Sequence, residues 1–432
     1  MKKAVLSNRI YLEASPELQE RIDKELTYSI PSFSEAEPPL VIRNMSIIRP
    51  GLISIPVGRR DLIPSDYEIK DKRVLAPTDF PKFKFNLRAS QQAVQDELVD
   101  NAIINASVSW GKTFSGLSIA GNLGQKTLVV THTVPLRNQW VKETEKVYGF
   151  TPGIIGSGKF DVSKPITIGN TQTLVKNIDK ISREFGTLLV DEMHHTSSPT
   201  FSKIIDTNYA RYKIGLSGTI QRKDGKHVVF KDYFGTKVFK PPKENYIIPE
   251  IHVYKLPIKF IDGTATPWAI RVNHLLYDIN YQGSVALIAA KYMALGHNVL
   301  IVGDRVEFLE AVTKLIGPKA VAITGAVTHE DRDRLMLSVG NGTVQALAGT
   351  QAIFSEGISH NPLSCLILGT PVNNEPLLEQ LIGRVIREYP GKLQPIIVDI
   401  NLLGNTAKNQ ANARLGHYIK QEYKIRSIDV RS

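Results

Sequence analysis

From residue 84 to about 240, short apolar runs alternate with longer amphipathic segments. Runs at 102–105, 127–130, 166–168, 188–190 and 213–216 have strand length and almost no polar interruption. Strands apolar on both faces and separated by helix-length segments specify a parallel sheet covered by helices on each side. The alternation returns between about 283 and 405, with runs at 299–302, 320–323, 344–347, 366–368 and 396–399. The two stretches share an architecture without an obvious sequence repeat. Residues 1–75 read as a smaller α/β unit, with Arg9-Ile10-Tyr11-Leu12 and Leu52-Ile53-Ser54-Ile55 as strands. There Ser15-Pro16-Glu17 opens a helix as cap plus first-turn proline. Pro77 and Pro81 punctuate a linker, 241–282 reads as an extended connection, and 406–432 as a basic tail. The expected fold is α/β: two tandem parallel-sheet domains, 84–240 and 283–405, behind a small accessory domain, 1–75.

At 432 residues the chain exceeds what one core usually supports, in keeping with two or three domains. No apolar run reaches the ~20 residues of a membrane span. The opening Met1-Lys2-Lys3 is basic, but Ser7-Asn8-Arg9 interrupts the apolar stretch too early for a signal peptide. Cys365 is the sole cysteine, so no intrachain disulfide forms and a reducing cytoplasm is the expected home. A net charge of +11 and a pI near 9.4 suit a polyanionic partner, or simply solvated lysines.

Chemistry concentrates at Asp191-Glu192-Met193-His194, directly after the apolar run 186–190. Two carboxylates at the mouth of a buried strand are costly unless they hold a cation or position a water. Asp191 is then expected to hold Mg²⁺ through its water shell, and Glu192 to orient and deprotonate the attacking water. His194-His195 invites a zinc reading, which fails because the helical H-E-x-x-H spacing is absent and no cysteine stands nearby. Two segments compete to cradle phosphate. Gly153 to Lys159 matches G-x-x-x-x-G-K, but Phe160 replaces the hydroxyl and Pro165 prevents a clean helix, so a surface turn is expected. Ala106-Ser107-Val108-Ser109-Trp110-Gly111-Lys112-Thr113 lacks its first glycine, yet a strand precedes it and a helix to Leu123, closed by Gly124, follows. Lys112 is the expected phosphate ligand. Far downstream, 375–388 reads as one helix, with Gln380, Arg384 and Arg387 on a face separate from its apolar one. That stripe is either solvated or an arginine finger for phosphates bound by the first half.

In this order the motifs resemble those of the superfamily 2 helicases, over roughly residues 84–405. Phe85, Leu87-Arg88 and Gln91 look like the adenine-reading segment. Thr131 to Trp140, with Pro135, Leu136 and Gln139, resembles the first strand-contacting motif, and Asn170-Thr171-Gln172 the next. Asp191 to His194 is similar to the DExH box and Ser217-Gly218-Thr219 to the coupling motif. Gly349-Thr350 with Glu356-Gly357-Ile358 resembles motif V, and Gln380 to Arg387 the Q-x-x-G-R-x-x-R of motif VI. Departures are Ala106 and Ser109 in the phosphate loop, and Leu381 and Ser359 where many relatives carry arginine and aspartate.

The resemblance implies two RecA-like domains that sandwich ATP·Mg²⁺ and bind a nucleic-acid strand. Nucleotide would be bound by Arg88, Gln91, Gly111, Lys112, Thr113, Asp191 and Gln380, with Thr113 and Asp191 on the metal. Lys112, Glu192, Arg384 and Arg387 would be catalytic, and His194, Ser217, Thr219 and Gly357 would couple hydrolysis to movement. Thr133, Pro135, Arg137, Asn170, Thr171, Gln172 and Thr350 would contact the strand. Asp232-Tyr233-Phe234-Gly235 and the amino-terminal unit are similar to the phage recombination helicases of the UvsW type, which remodel branched DNA. That implies single-stranded and branched or duplex DNA as partner, replication or recombination proteins as candidate associates, and a host cytoplasm if phage-encoded; a monomer is compatible with it. An RNA helicase, a double-strand translocase that separates nothing and a catalytically inactive clamp remain as alternatives. The basic tail (Lys408, Arg414, Lys420, Lys424, Arg426, Arg431) is read equally as phosphate contact or solvated end.

Overall fold

Three sheets carry the architecture, with a separate two-stranded ribbon. The computed structural model describes residues 2–31, 38–195, 199–218, 220, 225–263, 265–325, 327, 329–351, 362–372 and 374–428. By internal contacts the chain divides into two units, Met1–Lys243 and Glu244–Ser432. Thr219, Gly357 and Ser359 lie outside the described residues. Among the described residues no helix is long and apolar enough to cross a membrane.

The first unit begins with β1 (Lys3–Leu6), β2 (Arg9–Glu13), β3 (Thr27–Ile30), β4 (Leu40–Arg43), β5 (Ser46–Arg49), β6 (Leu52–Pro56) and β7 (Glu68–Asp71). Five form a sheet in the order β5-β6-β2-β1-β7, while β3 and β4 pair separately. Alternation in β1 and β2 puts Ala4, Leu6, Ile10 and Leu12 on one buried face, covered by Ile22 of the helix Pro16–Glu25. Ser15 caps that helix, accepting from the Leu18 N–H at 3.3 Å.

A second sheet follows, from β8 (Ala102–Asn105), β9 (Thr127–Thr131), β10 (Gly153–Gly156), β11 (Lys159–Phe160), β12 (Ile166–Asn170), β13 (Thr187–Val190), β14 (Tyr212–Ser217) and β15 (Val238–Phe239). Its order is β11-β10-β12-β9-β13-β14-β8-β15, parallel except for the β10–β11 hairpin. All five strands expected in this stretch are present. The accessory sheet is pinned to it by Asp232, which is fully buried in the short helix Phe230–Phe234. Tyr28 Oη and Asn44 Nδ2 donate to its two carboxylate oxygens at 2.9 and 2.6 Å, and Arg59 lies 3.5 Å away. The Gly58 N–H donates to its carbonyl at 2.9 Å, an approach so close that a Cβ on Gly58 would strike the Lys231 carbonyl. A second pin is Lys213, also fully buried: Nζ donates to the Ile205 carbonyl at 2.7 Å and that of Asn8 at 3.4 Å. Burial pushes its ammonium pKa down to about 7.

The second unit carries β16 (Glu250–Lys259), β17 (Val299–Gly303), β18 (Ala320–Ile323), β19 (Ala346–Thr350), β20 (Cys365–Leu368), β21 (Ile396–Leu403) and β22 (Lys424–Ile428). They form an all-parallel sheet in the order β18-β19-β17-β20-β21-β16-β22. Three features differ from expectation. Segment 241–282 is no simple connection, because β16 lies inside this sheet and two helices, Trp268–Leu276 and Ile279–Ala294, follow from it. The strand expected at 344–347 begins at Ala346, because the amides of Val344 and Gln345 bond to the Ser338 and Lys319 carbonyls instead. The basic tail is the helix Asn405–Lys420 and the edge strand β22. Four of its cations pair within the chain, Lys424 and Arg426 with Glu250, Lys420 with Glu375 and Arg414 with Asp399, while Arg431 lies outside the described residues.

The Arg414–Asp399 pair is bidentate, at 2.7 and 2.9 Å, with Tyr418 Oη donating to the same carboxylate at 2.9 Å and both charged side chains 3% exposed. Removing one partner strands a buried charge, so Arg414→Ala should destabilise this unit by about 3–5 kcal/mol. Chemical unfolding of the full chain checks this; a loss under about 1 kcal/mol, typical of exposed pairs, would contradict it.

Candidate nucleotide and nucleic-acid site

The candidate phosphate loop leaves the end of β8 and turns through Val108–Trp110 to Gly111, whose φ of 85° is left-handed and suits glycine. The helix Lys112–Leu123 starts at once, presenting its first N–H groups at an open end. Lys112 Nζ folds back to donate to the Ala106 carbonyl at 3.1 Å, and Thr113 sits beside it in the first turn. Trp110 stands where a glycine-rich loop would be bare. It is fully buried, and its indole donates to Ser90 Oγ at 2.9 Å. Its carbonyl accepts from Gln91 Nε2 at 2.8 Å and from the Arg88 guanidinium, while Gln91 Oε1 accepts from the Arg88 amide at 3.0 Å. Arg88 and Gln91 thus brace the loop from behind, a role the sequence did not disclose. The rival loop is the β10–β11 hairpin, turning through Ser157 at φ 52° and Gly158 at φ 77°, with no helix after it.

Asp191 and Glu192 emerge from β13, between β9 and β14. Asp191 is 5% exposed; its Oδ2 accepts from Trp140 Nε1 at 2.7 Å and its Oδ1 from the Glu192 amide at 3.0 Å. Burial, and then the charge of Glu192, raise its carboxyl above the usual range, against the Trp140 hydrogen bond and the Lys112 charge. A carboxylate so placed gains from a cation. Glu192 has φ 48°, a conformation costing a non-glycine residue about 1–2 kcal/mol, so the surroundings must impose it. Part of that constraint is Met193, fully buried against Gly215, where a Cβ would approach its Sδ to 2.5 Å. His194 Nδ1 lies 3.3 Å from Glu192 Oε2 and 3.1 Å from Ser217 Oγ. The structure therefore brings Glu192, His194 and Ser217 together.

Strand-contact candidates gather at the carboxyl ends of β9 and β12. Thr133 caps the helix Val134–Tyr148, and Pro135 sits in its first turn. Arg137 is 5% exposed and donates through Nη2 to Ser157 Oγ at 3.2 Å and Asn138 Oδ1 at 3.3 Å. Its Nε and Nη1 find no partner among the described residues, and burial lowers its pKa. A buried guanidinium with N–H groups to spare suits an anion. Asn170 and Thr171 are buried beside it, Thr171 Oγ1 donating to the Thr131 carbonyl at 3.0 Å, while Gln172 is exposed. Close packing joins the hairpin to this cluster: a Cβ at Gly156 would stand 2.5 Å from Arg137 Nη1 and 3.0 Å from Asn170 Oδ1. The hairpin is the surface turn expected, exposed at 157–160, and its base packs against Arg137 and Asn170.

In the second unit the helix opening at Glu375 ends at Ile382, not at 388. Arg384 and Val385 make three-residue turns, and the chain then bridges Tyr246 at Arg387, with Ile247 N–H on the Ile386 carbonyl at 2.7 Å. Gln380, Arg384 and Arg387 therefore share no helical face, because the incoming segment at 246–247 pulls the backbone extended. Nor is the stripe solvated, since Arg384 is 6% exposed. Lys392 Nζ donates to the Arg387 carbonyl at 2.7 Å, and burial followed by the Arg387 charge lowers its pKa to about 8. Two neighbouring cations make a spot that favours a polyanion. Thr350 ends β19, half-buried.

Residues 84–222 match the family model described as type III restriction enzyme, res subunit, and residues 285–388 that of the helicase conserved C-terminal domain. The chain is 41% identical over 429 residues to the probable helicase D10 of Escherichia phage T5, covering 98% of this chain and 95% of that protein. It is 24% identical over 390 residues to the ATP-dependent DNA helicase uvsW of Enterobacteria phage T4, covering 81% and 77%. The structure of Dbp5 from S. cerevisiae, bound to RNA and ADP BeF3, shares the fold with a TM-score of 0.57 at 12% identity, covering 80% of this chain and 90% of that one. Both matched models and the near full-length likeness to a phage helicase place this chain in the superfamily 2 helicases, which are ATP-dependent and act on nucleic acid.

Proposed function

We propose that the chain is a Mg²⁺- and ATP-dependent DNA helicase that remodels branched DNA. The observation that carries the ATPase reading is the buried Asp191 beside Glu192, linked by His194 to Ser217 and within the field of Lys112. These donors fit a nucleoside triphosphate and its metal: a lysine, a hydroxyl and a carboxylate in want of a cation. Magnesium, when bound, neutralises charge on the phosphates. Lys112 exchanges the Ala106 carbonyl for phosphate, Thr113 and Asp191 hold the metal, and Glu192 takes the proton of the attacking water. Arg88 and Gln91 keep the loop in shape as they meet the base, and Gln380, Arg384 and Arg387 supply nucleotide contacts and positive charge from the second unit. His194 and Ser217 carry the state of Glu192 to β14.

Thr133, Pro135, Arg137, Asn170, Thr171, Gln172 and Thr350 meet the strand through its backbone, which gives little sequence preference. A protein named a DNA helicase matches over 81% of this chain and one named an RNA helicase over 78%, both at 24% identity, so the choice of DNA rests on the experiment that follows. ATP turnover measured with no nucleic acid, linear DNA, a four-way junction and RNA tests the reading. Turnover should be greatest with the junction; stimulation by RNA alone would sink it.

Side-chain roles separate in a second experiment. Glu192→Gln should lower hydrolysis by about 10²-fold or more while ATP still binds. Lys112→Ala should lose both binding and turnover, and Lys159→Ala, on the hairpin, neither. The reverse pattern for the two lysines would falsify the phosphate-loop assignment.

Arg387→Ala should leave the first unit's ATP binding largely intact and cut turnover by roughly 10³-fold, the scale of an arginine finger. DNA stimulation should vanish with it. A variant whose rate still climbs with added DNA would mean that Arg387 plays no part in catalysis.

A further inference from the structure

The helix Val134–Tyr148 reaches from the strand-contact cluster to the nucleotide site. Its amino end carries Thr133, Pro135 and Arg137. Seven residues after the cap, about 10 Å along the axis, comes Trp140. Trp140 is fully buried, and its indole N–H is the only side-chain hydrogen bond to Asp191 among those described, at 2.7 Å. The same ring lies over Gly116, in the helix that starts at Lys112, where a Cβ would stand 3.0 Å from Trp140 Cη2. Two turns later Tyr148 repeats the arrangement: its hydroxyl donates to the Leu117 carbonyl at 2.7 Å, and a Cβ at Gly121 would collide with that hydroxyl. Two glycines of the phosphate-loop helix are thus notches that receive two aromatics of the strand-contacting helix.

Resting on the reading of Asp191 as metal holder and Arg137 as strand contact, we infer that Trp140 is a positioning residue that makes strand binding and nucleotide binding interdependent. Keyed at two notches, the helix cannot shift at its amino end without moving the indole. A hydrogen bond to a charged acceptor is strong and directional, so the Asp191 carboxylate follows the indole. By linkage, nucleotide must alter strand affinity by the factor by which strand alters nucleotide affinity.

The test is equilibrium binding by the full chain. Anisotropy of a labelled single-stranded oligonucleotide is measured with and without Mg²⁺ plus a non-hydrolysable ATP analogue. In the natural chain the analogue should change strand affinity by about 5- to 150-fold, the usual span of such coupling. Trp140→Phe keeps the ring over Gly116 and removes the N–H. It should still bind the strand, with the coupling factor reduced to about one to two. Gly116→Ala, which presses on the ring without removing it, should reduce the factor part-way and decides the matter should Trp140→Phe not fold. Natural coupling in either folded variant overturns the inference. Asp191→Asn and Arg137→Ala test the underlying reading separately: if the first keeps metal-dependent nucleotide binding, or the second keeps strand affinity, that reading fails instead.

Discussion

Asp191 is buried at the mouth of β13, where an unpaired carboxylate would lose several kcal/mol of solvation. Much of the first unit is arranged around that one group. Trp140 and the Glu192 amide donate to it, and Lys112 adds charge from the neighbouring loop. The turn that lets the Glu192 amide point back requires a left-handed residue, which Met193 helps to impose through its slot against Gly215. A parallel sheet makes this arrangement natural, because the carboxyl ends of β8, β9, β12, β13 and β14 open on one edge.

The second unit has the opposite electrostatic character at its candidate site. Arg384 is buried, and burial followed by the Arg387 charge lowers the pKa of Lys392. A spot of clustered cations of this kind suits an anion.

Strands β8, β9, β12, β13 and β14 were legible because both faces are buried, which leaves uninterrupted apolar runs. β16 was not: His252, Lys255 and Lys259 break its pattern, although Ile251 and Tyr254 are buried. The over-long helix at 375–388 has a related cause. Val385 and Ile386 are buried and continue the helical period, but they do so from a turn, and only the bridge to Tyr246 reveals it. Periodicity reports burial, not backbone geometry. At the candidate site, Lys112, Asp191 and Glu192 stood out as candidates because the features that mark them are local in sequence. The bracing by Arg88 and Gln91, the grip of Trp140 and the place of Ser157 depend on contacts across 19 to 51 residues of chain. One signal was available: a tryptophan inside a phosphate loop, Trp110, needs somewhere to be buried.

Asp232 is one of two buried points at which the accessory strands are fastened to the first parallel sheet, the other being Lys213. Tyr28, Asn44 and Arg59 come from three separate places in the accessory sheet and its ribbon, and all converge on one carboxylate. With Lys213 holding the Asn8 carbonyl at a second point, the two attachments together oppose rotation about either one. The accessory sheet is thus built onto the first parallel sheet as an outrigger rather than hung from it as a tethered arm.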